Sequence, residues 1–487
     1  MATFEKRNPV NGELIAEHHI NSSEDVANAL HRARAAAKLW SEMGYRARKK
    51  ILLRWCALLL ERSQEIKDLV SLETGKPLSD AQLEVVLATH HLGWAARNAE
   101  RILSPSHRNA GLLMANMAAK VERPPLGVVG VIGPWNYPVF TPMGSIAYAL
   151  AAGNTVLFKP SEFTPGVGLL LADTFAHVAP FDGILQTLTG LGETGKALCE
   201  SGVDKVAFTG STRTAKKVAQ ACAALMVPVV LECGGKDPVI VDKDADLSRA
   251  ADGAIWSAMA NAGQSCIGAE RVYVHENVAD RFIAECVTLA QALKPGAPGT
   301  GNYGPATMPK QLDIIQEHIS DAIKRGGTVA LGSEASVGKE FVHPVIITDV
   351  PEDSTAITDE TFGPTLVINR VKSMDQAVSL SNASSYGLGA AVWSKKNGRK
   401  IASQLHCGMV AINSTFSYAA VSTVPFGGVK ESGYGRIHGP EGLLEFTYPR
   451  TVMRARFQLP IPFTSFKRTP FLDKVVFAVT RALKGRA

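Results

Sequence analysis

The sequence predicts an α/β fold in which strands and helices alternate around doubly wound parallel sheets. Residues 127–132, 153–162 and 205–211 are apolar strand runs that end in small polar residues before a helical pattern. The 43 glycines and 26 prolines suit the many turns of such a fold. At 487 residues, the chain exceeds what one hydrophobic core holds, so we expect two or three packed units.

Ahead of the first strand, residues 24 to 70 show the apolar spacing of two long amphipathic helices. In the second helix, apolar residues recur at helical spacing: Ile51, Leu52, Trp55, Leu58, Leu59 and Ile66. Both helices are expected to be scaffold. The loops at the carboxyl ends of parallel strands are where α/β proteins bind ligands, so the polar segments after the three strands are candidate site segments.

The amino-acid composition and charge indicate which kind of protein this is. Hydrophobic residues make up 46% and charged residues 20%, as in a globular rather than a disordered chain. Seven cysteines without a C-x-x-C pair argue against disulfides or structural zinc and predict a reducing, cytoplasmic location. Residues 1–20 carry no signal pattern, and no uninterrupted apolar run reaches about 18 residues. The net charge is +6, with six Lys/Arg against one Asp in residues 461–487, so the near-neutral body predicts no nucleic-acid partner.

The segment 261–271 lies between an apolar helical run and an apolar strand run, and it contains Cys266. A cysteine that follows Gly-Gln-Ser in a tight turn can have backbone N–H groups facing its sulfur, which would lower the pKa of the thiol. Cys266 is therefore a candidate nucleophile. The alternative is a buried, inert thiol, which is the commoner case for a lone cysteine.

Seven short motifs occur along the chain in a fixed order. They are Pro-Trp-Asn-Tyr-Pro (134–138), Lys-Pro-Ser-Glu (159–162), Phe-Thr-Gly-Ser (208–211), Glu-Cys-Gly-Gly-Lys (232–236), Gly-Gln-Ser-Cys (263–266), Glu-Thr-Phe-Gly-Pro (360–364) and Pro-Phe-Gly-Gly (425–428). With these motifs, the sequence resembles the aldehyde dehydrogenase superfamily over nearly its whole length. The presence of Glu232 matches the non-acylating, NAD(P)-dependent members, since CoA-acylating relatives typically lack this residue.

The resemblance implies two doubly wound parallel-sheet domains and a small β element for oligomerisation. Residues 1–114 and 126–232 would form the NAD-binding domain, and residues 233–446 the catalytic domain. Residues 115–125 and 447–460 would form the oligomerisation element of a homodimer or homotetramer. Residues 461–487 would be a basic amphipathic tail.

The resemblance assigns three catalytic residues. The thiolate of Cys266 would attack the aldehyde carbon, and the resulting oxyanion would be held by the Asn136 amide and the Cys266 backbone N–H. Glu232 would be the general base that hydrolyses the thioester left after hydride transfer. Taken alone, Asn136 is typical of a turn and Glu232 of a solvated strand end. No metal is expected, because the neighbours His90 and His91 point about 100° apart on a helix.

The resemblance also assigns the cofactor site. Lys159 and Glu162 would hydrogen-bond the adenosine ribose, and the Glu162 carboxylate would repel a 2′-phosphate, which favours NAD with NADP as the alternative. Gly210 and Ser211 would meet the pyrophosphate at a helix N-terminus, and Glu360 would bind the nicotinamide ribose. The remaining cofactor residues are Ile132, Trp135, Ser161, Gly192, Phe208 and Phe362.

The expected function is NAD-dependent oxidation of an aldehyde to a carboxylic acid. Two narrower hypotheses stay open. Residues 438–444 resemble bacterial succinate-semialdehyde dehydrogenases, although the sequence assigns no arginine to a substrate carboxylate. The second hypothesis is a membrane-associated enzyme for long-chain aldehydes. A non-catalytic relative is disfavoured because Cys266, Asn136 and Glu232 are all present.

Residues 471–487 carry an apolar helical stripe beside basic residues. The stripe consists of Leu472, Val475, Val476, Val479 and Leu483. With 17 residues and five charges, this segment is too short and too charged to span a bilayer. A helix docked on the partner subunit or over the substrate entrance is favoured over an interfacial helix drawn to anionic lipid.

Overall fold

The computed structural model describes residues 2–458 and 465–485. Numbered along the chain, its strands are β1 (Thr3–Arg7), β2 (Leu14–His19), β3 (Ser106–Arg108), β4 (Met117–Glu122), β5 (Val128–Ile132), β6 (Thr155–Lys159), β7 (Leu185–Thr187), β8 (Lys205–Thr209), β9 (Val229–Glu232), β10 (Asp237–Val241), β11 (Ala269–His275), β12 (Thr328–Leu331), β13 (Val345–Thr348), β14 (Thr365–Val371), β15 (Ala391–Trp393), β16 (Ala411–Ile412), β17 (Gly433–Tyr434) and β18 (Arg450–Ala455).

The α-helices alternate with these strands over most of the chain. They are α1 (Ser23–Glu42), α2 (Gly44–Glu61), α3 (Ser63–Thr74), α4 (Leu78–Leu103), α5 (Phe140–Ala152), α6 (Pro165–Ala176), α7 (Gly192–Glu200), α8 (Thr212–Ala223), α9 (Leu247–Met259), α10 (Glu276–Gln291), α11 (Lys310–Lys324), α12 (Thr355–Thr358), α13 (Met374–Asn382), α14 (Gly398–Ala402), α15 (Ser417–Ala420), α16 (Gly439–Glu445) and α17 (Pro470–Lys484).

The first sheet has the strand order β17-β9-β8-β5-β6-β7. Strand β5 pairs in parallel with β6 on one side and with β8 on the other, and only β17 runs antiparallel to its neighbour. Its central strands are buried along almost their whole length, as expected where helices cover both faces of a parallel sheet. Their carboxyl ends therefore gather Ile132, Lys159, Thr209 and Glu232 along one edge.

The second sheet has the order β12-β13-β14-β11-β10-β15-β16, with β12 as its antiparallel edge strand. The two sheets confirm the predicted fold class of doubly wound parallel sheets. Strand β17 falls in the range predicted for the catalytic domain and yet pairs with β9 of the first sheet, Gly433 lying opposite Glu232. After the strands of the second sheet, the chain therefore adds one more strand, β17, to the first sheet.

A separate antiparallel sheet has the order β18-β4-β3. Its β4 and β18 lie where the oligomerisation element was predicted, with Arg450 opposite Glu122 and Ala455 opposite Met117. Strand β3 was not predicted, because three residues are too few to show an alternating pattern. Residues 459 and 460 of the predicted element lie outside the described residues.

The prediction of two helices over residues 24 to 70 is wrong, because the structure has three there, α1 to α3. Gly44 adopts a φ of +77° between α1 and α2, and Arg62 leaves the helical region between α2 and α3. The buried apolar stripe continues across the second break from Trp55 to Ile66, so the spacing alone resembled one helix. Trp55 also donates from Nε1 to Thr174 Oγ1 at 2.9 Å, which joins α2 to α6.

Helix α17 confirms the helix predicted in the tail, although residues 461–464 and 486–487 lie outside the described part. None of its described side chains is buried, so the predicted packing over the substrate entrance is not found within this chain. Among the described residues, no helix is long and apolar enough to cross a membrane.

Candidate active site

The turn that carries Cys266 is held in a strained backbone shape. After α9, a short 3₁₀ turn (Ala260–Gly263) places Asn261 and Ala262 at φ angles of 53° and 57°, in the left-handed region that non-glycine residues rarely adopt. A Cβ added to Gly263 would lie 2.1 Å from the carbonyl oxygen of Gly363. Strain of this kind persists only where the surroundings fix it, and it clusters at functional sites.

Cys266 lies just before β11 and is partly exposed, with its side chain against the largest hydrophobic cluster. Burial of the sulfur, and then the carboxyl groups of Glu232, Glu360 and Asp237, raise the pKa of its thiol well above the usual value. The lowered thiol pKa predicted from the tight turn is therefore wrong. Its backbone N–H does favour the thiolate, but dehydration and three acidic neighbours outweigh that single donor.

Asn136 reaches this turn from the loop that follows β5. Its Nδ2 donates to the carbonyl oxygen of Gln264 at 2.9 Å, and its own carbonyl accepts from Asn261 Nδ2 at 3.0 Å. Gln264 is fixed in turn, because its Nε2 donates to Pro305 O and its Oε1 accepts from Thr307 N. One N–H of the Asn136 amide is therefore used by Gln264, which lies two residues before Cys266 in sequence. The second N–H of that amide stays available.

Glu232 ends β9 at the edge where the first sheet meets Cys266. Its side chain is buried, and its only described hydrogen-bond donor is the Thr209 hydroxyl, at 3.1 Å from Oε2. Burial raises the pKa of Glu232 to about 7, against the opposing effect of that hydrogen bond. The alternative of a solvated strand end is thus excluded, and the carboxyl can exchange a proton near neutral pH.

The predicted adenosine-ribose residues lie together at the end of β6. Lys159 is buried, and its Nζ lies 3.5 Å from Glu162 Oε2, while the Ser161 hydroxyl donates to the same oxygen at 3.4 Å. The Glu162 side chain is 39% exposed, so its carboxylate is available to a ligand.

Gly192 and Gly195, in the first turn of α7, leave space beside the end of β5. A Cβ added to Gly192 would meet nothing within 4 Å, and one added to Gly195 would meet only Ile132 Cδ1, at 4.0 Å. Ser211 caps α8 by accepting from Thr214 N, while the N–H groups of Thr212 and Arg213 have no hydrogen-bond partner among the described residues and can face an anion. Gly210 is needed because a Cβ there would lie 2.7 Å from the Phe208 ring. The predicted cofactor residues Ile132, Gly192, Gly210 and Ser211 thus follow or end strands of the first sheet at their carboxyl ends.

Glu360 lies between α12 and β14, on the side of the second sheet. Its Oε1 accepts from Gly235 N at 3.0 Å, and burial, followed by the charge of Glu270, raises its pKa to about 8. Phe362 meets the Trp135 ring edge-on, with the ring centroids 5.6 Å apart. The predicted cofactor residues on the first sheet's side therefore contact those on the second sheet's side at these two aromatic rings.

Sequence analysis missed the buried ion pair of Lys236 and Glu270. Lys236 Nζ contacts Glu270 Oε2 and donates to Thr361 Oγ1 at 3.0 Å, while Glu270 accepts from the backbone N–H groups of Thr361 and Phe362 at 2.7 and 2.8 Å. The pair therefore fixes the turn that presents Glu360. The sequence signal that could have indicated this pair is a lysine just before one apolar strand and a glutamate near the start of another.

The histidine pair is arranged as predicted for helix surface and core. His91 is buried and its Nε2 lies 3.0 Å from Ala419 O, whereas His90 is exposed. Within residues 2–458 and 465–485, no group of three or more His, Cys, Asp or Glu side chains is arranged to hold a metal ion.

Comparison with known sequences decides the family. The profile described as "Aldehyde dehydrogenase family" matches residues 1–452. The chain belongs to the aldehyde dehydrogenase family. It is an NAD(P)-dependent oxidoreductase that converts an aldehyde to a carboxylic acid.

Relatives of this aldehyde dehydrogenase span several named activities. It is 37% identical to a 4,4'-diapolycopene aldehyde oxidase of Methylomonas sp, over 94% of this chain and 87% of the relative. It is 36% identical to a putative succinate-semialdehyde dehydrogenase (NADP+) of Mycolicibacterium smegmatis, over 90% and 86%. The solved NAD-dependent aldehyde dehydrogenase from Sinorhizobium meliloti has 32% identity and a TM-score of 0.91, with 95% and 93% of the two chains covered.

The raised pKa of the Cys266 thiol predicts slow alkylation at neutral pH. Without cofactor, the rate of labelling by iodoacetamide should still be rising with pH above pH 9, because the thiol stays protonated below that. Glu232→Gln removes one negative neighbour and should increase the rate at pH 8. Mass spectrometry of the Cys266 peptide measures the rate, with Glu285→Gln, a partly exposed carboxyl on α10, as the control. Fast labelling independent of pH between 7 and 9 would contradict the raised pKa.

Proposed function

We propose that the aldehyde is oxidised while covalently bound to Cys266, with Asn136 and Glu232 acting on the bound intermediate. The observation that carries this proposal is the convergence of three groups. The Asn136 amide donates a hydrogen bond to the carbonyl of Gln264, two residues before Cys266. The Glu232 carboxyl is one of the charges that raise the pKa of the Cys266 thiol. A nucleophile, an amide donor and a buried carboxyl are what acyl transfer through a thioester requires.

The first step joins the Cys266 sulfur to the aldehyde carbon, and the thiol proton passes to solvent water. The carbonyl oxygen becomes an oxyanion, for which the free N–H of Asn136 and the Cys266 backbone N–H are donors. Removing one such donor typically lowers the rate by about 10²–10³. A bound nicotinamide would supply the hydride acceptor, and loss of hydride from the carbon would leave an acyl thioester on Cys266.

Hydrolysis then needs a base for the attacking water. Glu232 suits this role because a carboxyl group with a pKa of about 7 is partly ionised at neutral pH and still basic enough to accept a proton. Water adds to the thioester carbon while Glu232 takes its proton, and the C–S bond breaks to release the acid.

Glu232→Gln should give a burst of NADH followed by a stall. Thioester formation does not need the base, whereas hydrolysis does, so the steady-state rate should fall by about 10²–10⁴. Stopped-flow absorbance measures a burst of about one NADH per subunit. Thr209→Val is the matched variant, because losing its hydrogen bond should raise the pKa of Glu232 and move the acid limb of kcat to higher pH. A normal steady-state rate without a burst would remove Glu232 from this role.

We further propose that NAD is preferred over NADP. Glu162 lies where the adenosine ribose is expected, and its exposed carboxylate would repel a 2′-phosphate. The relatives divide on this point, since one is named for NADP and a solved neighbour for NAD.

Replacing Glu162 by Gln should therefore shift the cofactor ratio toward NADP. The ratio of kcat/KM for NADP to that for NAD should rise about tenfold, which corresponds to a change of about 1.4 kcal/mol. Steady-state assays with both cofactors measure the ratio. Asp173→Asn, on the exposed side of α6, should leave it unchanged. An unchanged ratio in Glu162→Gln would show that this side chain does not face the 2′ position.

For the substrate, we propose an uncharged, apolar aldehyde rather than succinate semialdehyde. Cys266 packs against a cluster that includes Phe416, Tyr418 and Phe426. The charged side chains that act on its thiol are all carboxyls, which would repel a second carboxylate on the substrate. Succinate semialdehyde is the second candidate, supported by the names of several relatives.

Butanal and succinic semialdehyde test this choice, because they share a four-carbon chain and differ by the carboxylate. We expect kcat/KM to be at least about tenfold higher for butanal, a difference of about 1.4 kcal/mol in transition-state binding, and to rise further for hexanal and octanal. A preference for succinic semialdehyde over butanal would contradict the apolar assignment.

We also propose that the chain forms a homo-oligomer in the cytoplasm, with β18 and α17 at the contact. Strand β18 is an exposed sheet edge, which commonly pairs with another chain. Helix α17 leaves its apolar side chains uncovered, Phe471 being 76% exposed and Leu483 54%. All seven cysteines are free, which agrees with a reducing compartment.

Truncation after Pro470 separates a docked tail from a lipid-binding one. Because α17 is expected to cover a partner surface, the truncated protein should dissociate at concentrations where the full chain stays assembled, as measured by sedimentation velocity. Both forms are also spun with vesicles of phosphatidylcholine and phosphatidylglycerol at low salt. If only the full chain pellets with vesicles and the oligomer size is unchanged, the tail binds anionic lipid instead.

A further inference from the structure

The turn between α3 and α4 places a buried lysine beneath the loop that carries Asn136. Lys76 Nζ donates to the carbonyl oxygen of Asn136 at 2.6 Å and to Glu84 Oε1 at 2.7 Å. The ammonium group also lies 4.5 Å from the centre of the Tyr137 ring. Lys76 and Glu84 are each only 1% exposed, so neither charge is solvated by bulk water.

Glu84 holds the other end of the same loop. Its Oε2 accepts from the backbone N–H groups of Val139 and Phe140 at 3.0 and 3.2 Å, at the start of α5. Negative charge is stabilised at a helix N-terminus, and these N–H groups have no partner within the helix. The ion pair therefore contacts the loop at Asn136 and again three residues later.

These contacts determine where the Asn136 amide points. The Asn136 carbonyl shares its acceptor capacity between Lys76 and Asn261 Nδ2, so its peptide group is fixed by donors on two sides. The side chain then donates one N–H to Gln264 O, and Asn261 Nδ2 donates to the same carbonyl at 3.1 Å. A small rotation of the peptide group at Asn136 would move the remaining N–H away from the oxyanion.

We infer that Lys76 and Glu84 are positioning residues for the oxyanion donor, acting through the backbone of Asn136. The inference rests on the proposed role of Asn136. A buried ion pair is weak evidence for stability, because dehydrating two charges offsets much of their attraction. Here the pair makes three further hydrogen bonds to one loop, and each of them restrains the backbone next to the amide.

The test is a double-mutant cycle on the pre-steady-state rate constant of NADH formation. Lys76→Met removes the ammonium and keeps the stem, and it should lower this rate constant about 10- to 100-fold, less than the loss of roughly 10²–10³ expected when the oxyanion donor itself is removed. The KM for NAD should change by less than about twofold. In an Asn136→Ala background, Lys76→Met should change the rate constant by less than about threefold, because the amide it orients is gone.

Lys205→Met is the matched control. Lys205, at the amino end of β8, is a second buried lysine that pairs with a glutamate, Glu445, whose side chain is 24% exposed. This variant should show a similar loss in thermal midpoint with the NADH rate constant within about twofold of the wild type. A general loss of packing would lower the rate constant in both lysine variants.

The outcomes separate this inference from the proposed function. An equal fold-loss for Lys76→Met in both backgrounds would overturn the positioning role. A normal rate constant in Asn136→Ala alone would instead reject the oxyanion role of Asn136. If Lys76→Met does not fold, Glu84→Gln takes its place in the cycle. That variant keeps the side-chain size and one acceptor oxygen, and the same non-additivity is required of it.

Discussion

The carbonyl oxygen of Gln264 is the acceptor that joins the two halves of the active site. It accepts from Asn136 Nδ2 of the first sheet's loop and from Asn261 Nδ2 of its own turn. The turn that presents this carbonyl has Asn261 and Ala262 in the left-handed backbone region. Close packing of Gly263 against Gly363 holds that shape, so the local strain is balanced by contacts with the second sheet.

Buried charge organises the surroundings of this link. Lys76 with Glu84 fixes the loop of Asn136, and Lys236 with Glu270 fixes the turn of Glu360. Among the described residues, the first pair bonds further only to backbone groups, while in the second Lys236 donates to Thr361 Oγ1 and Glu270 accepts from two backbone N–H groups. Burying the charges of these pairs costs free energy. Their hydrogen bonds restrain the backbone beside the thiol and the predicted cofactor site.

The sequence allowed the sheets to be predicted, because strand ends are local features, whereas the roles of the site residues come from the family resemblance and stay predictions. Glu232 and Asn136 follow apolar strands, and such ends converge at one edge of a parallel sheet. The supporting ion pairs were missed because their partners meet only in the folded chain. Glu84 had a usable signal, since it lies on the apolar stripe of α4 between Ala81 and Ala88. The thiol pKa was predicted in the wrong direction for the same reason: its acidic neighbours come from two segments distant from Cys266 in sequence, residues 232–237 and Glu360.

The central claim is that the substrate becomes an acyl thioester on Cys266 and that Glu232 is needed to release it. Glu232→Gln protein mixed with butanal and NAD, quenched in acid and analysed by intact-protein mass spectrometry, tests this directly. The account predicts a mass increase equal to butanal less two hydrogens, located by peptide mapping on Cys266 and absent from Cys266→Ala. An unmodified Cys266 in protein that has produced NADH, or an adduct on another cysteine, would contradict it.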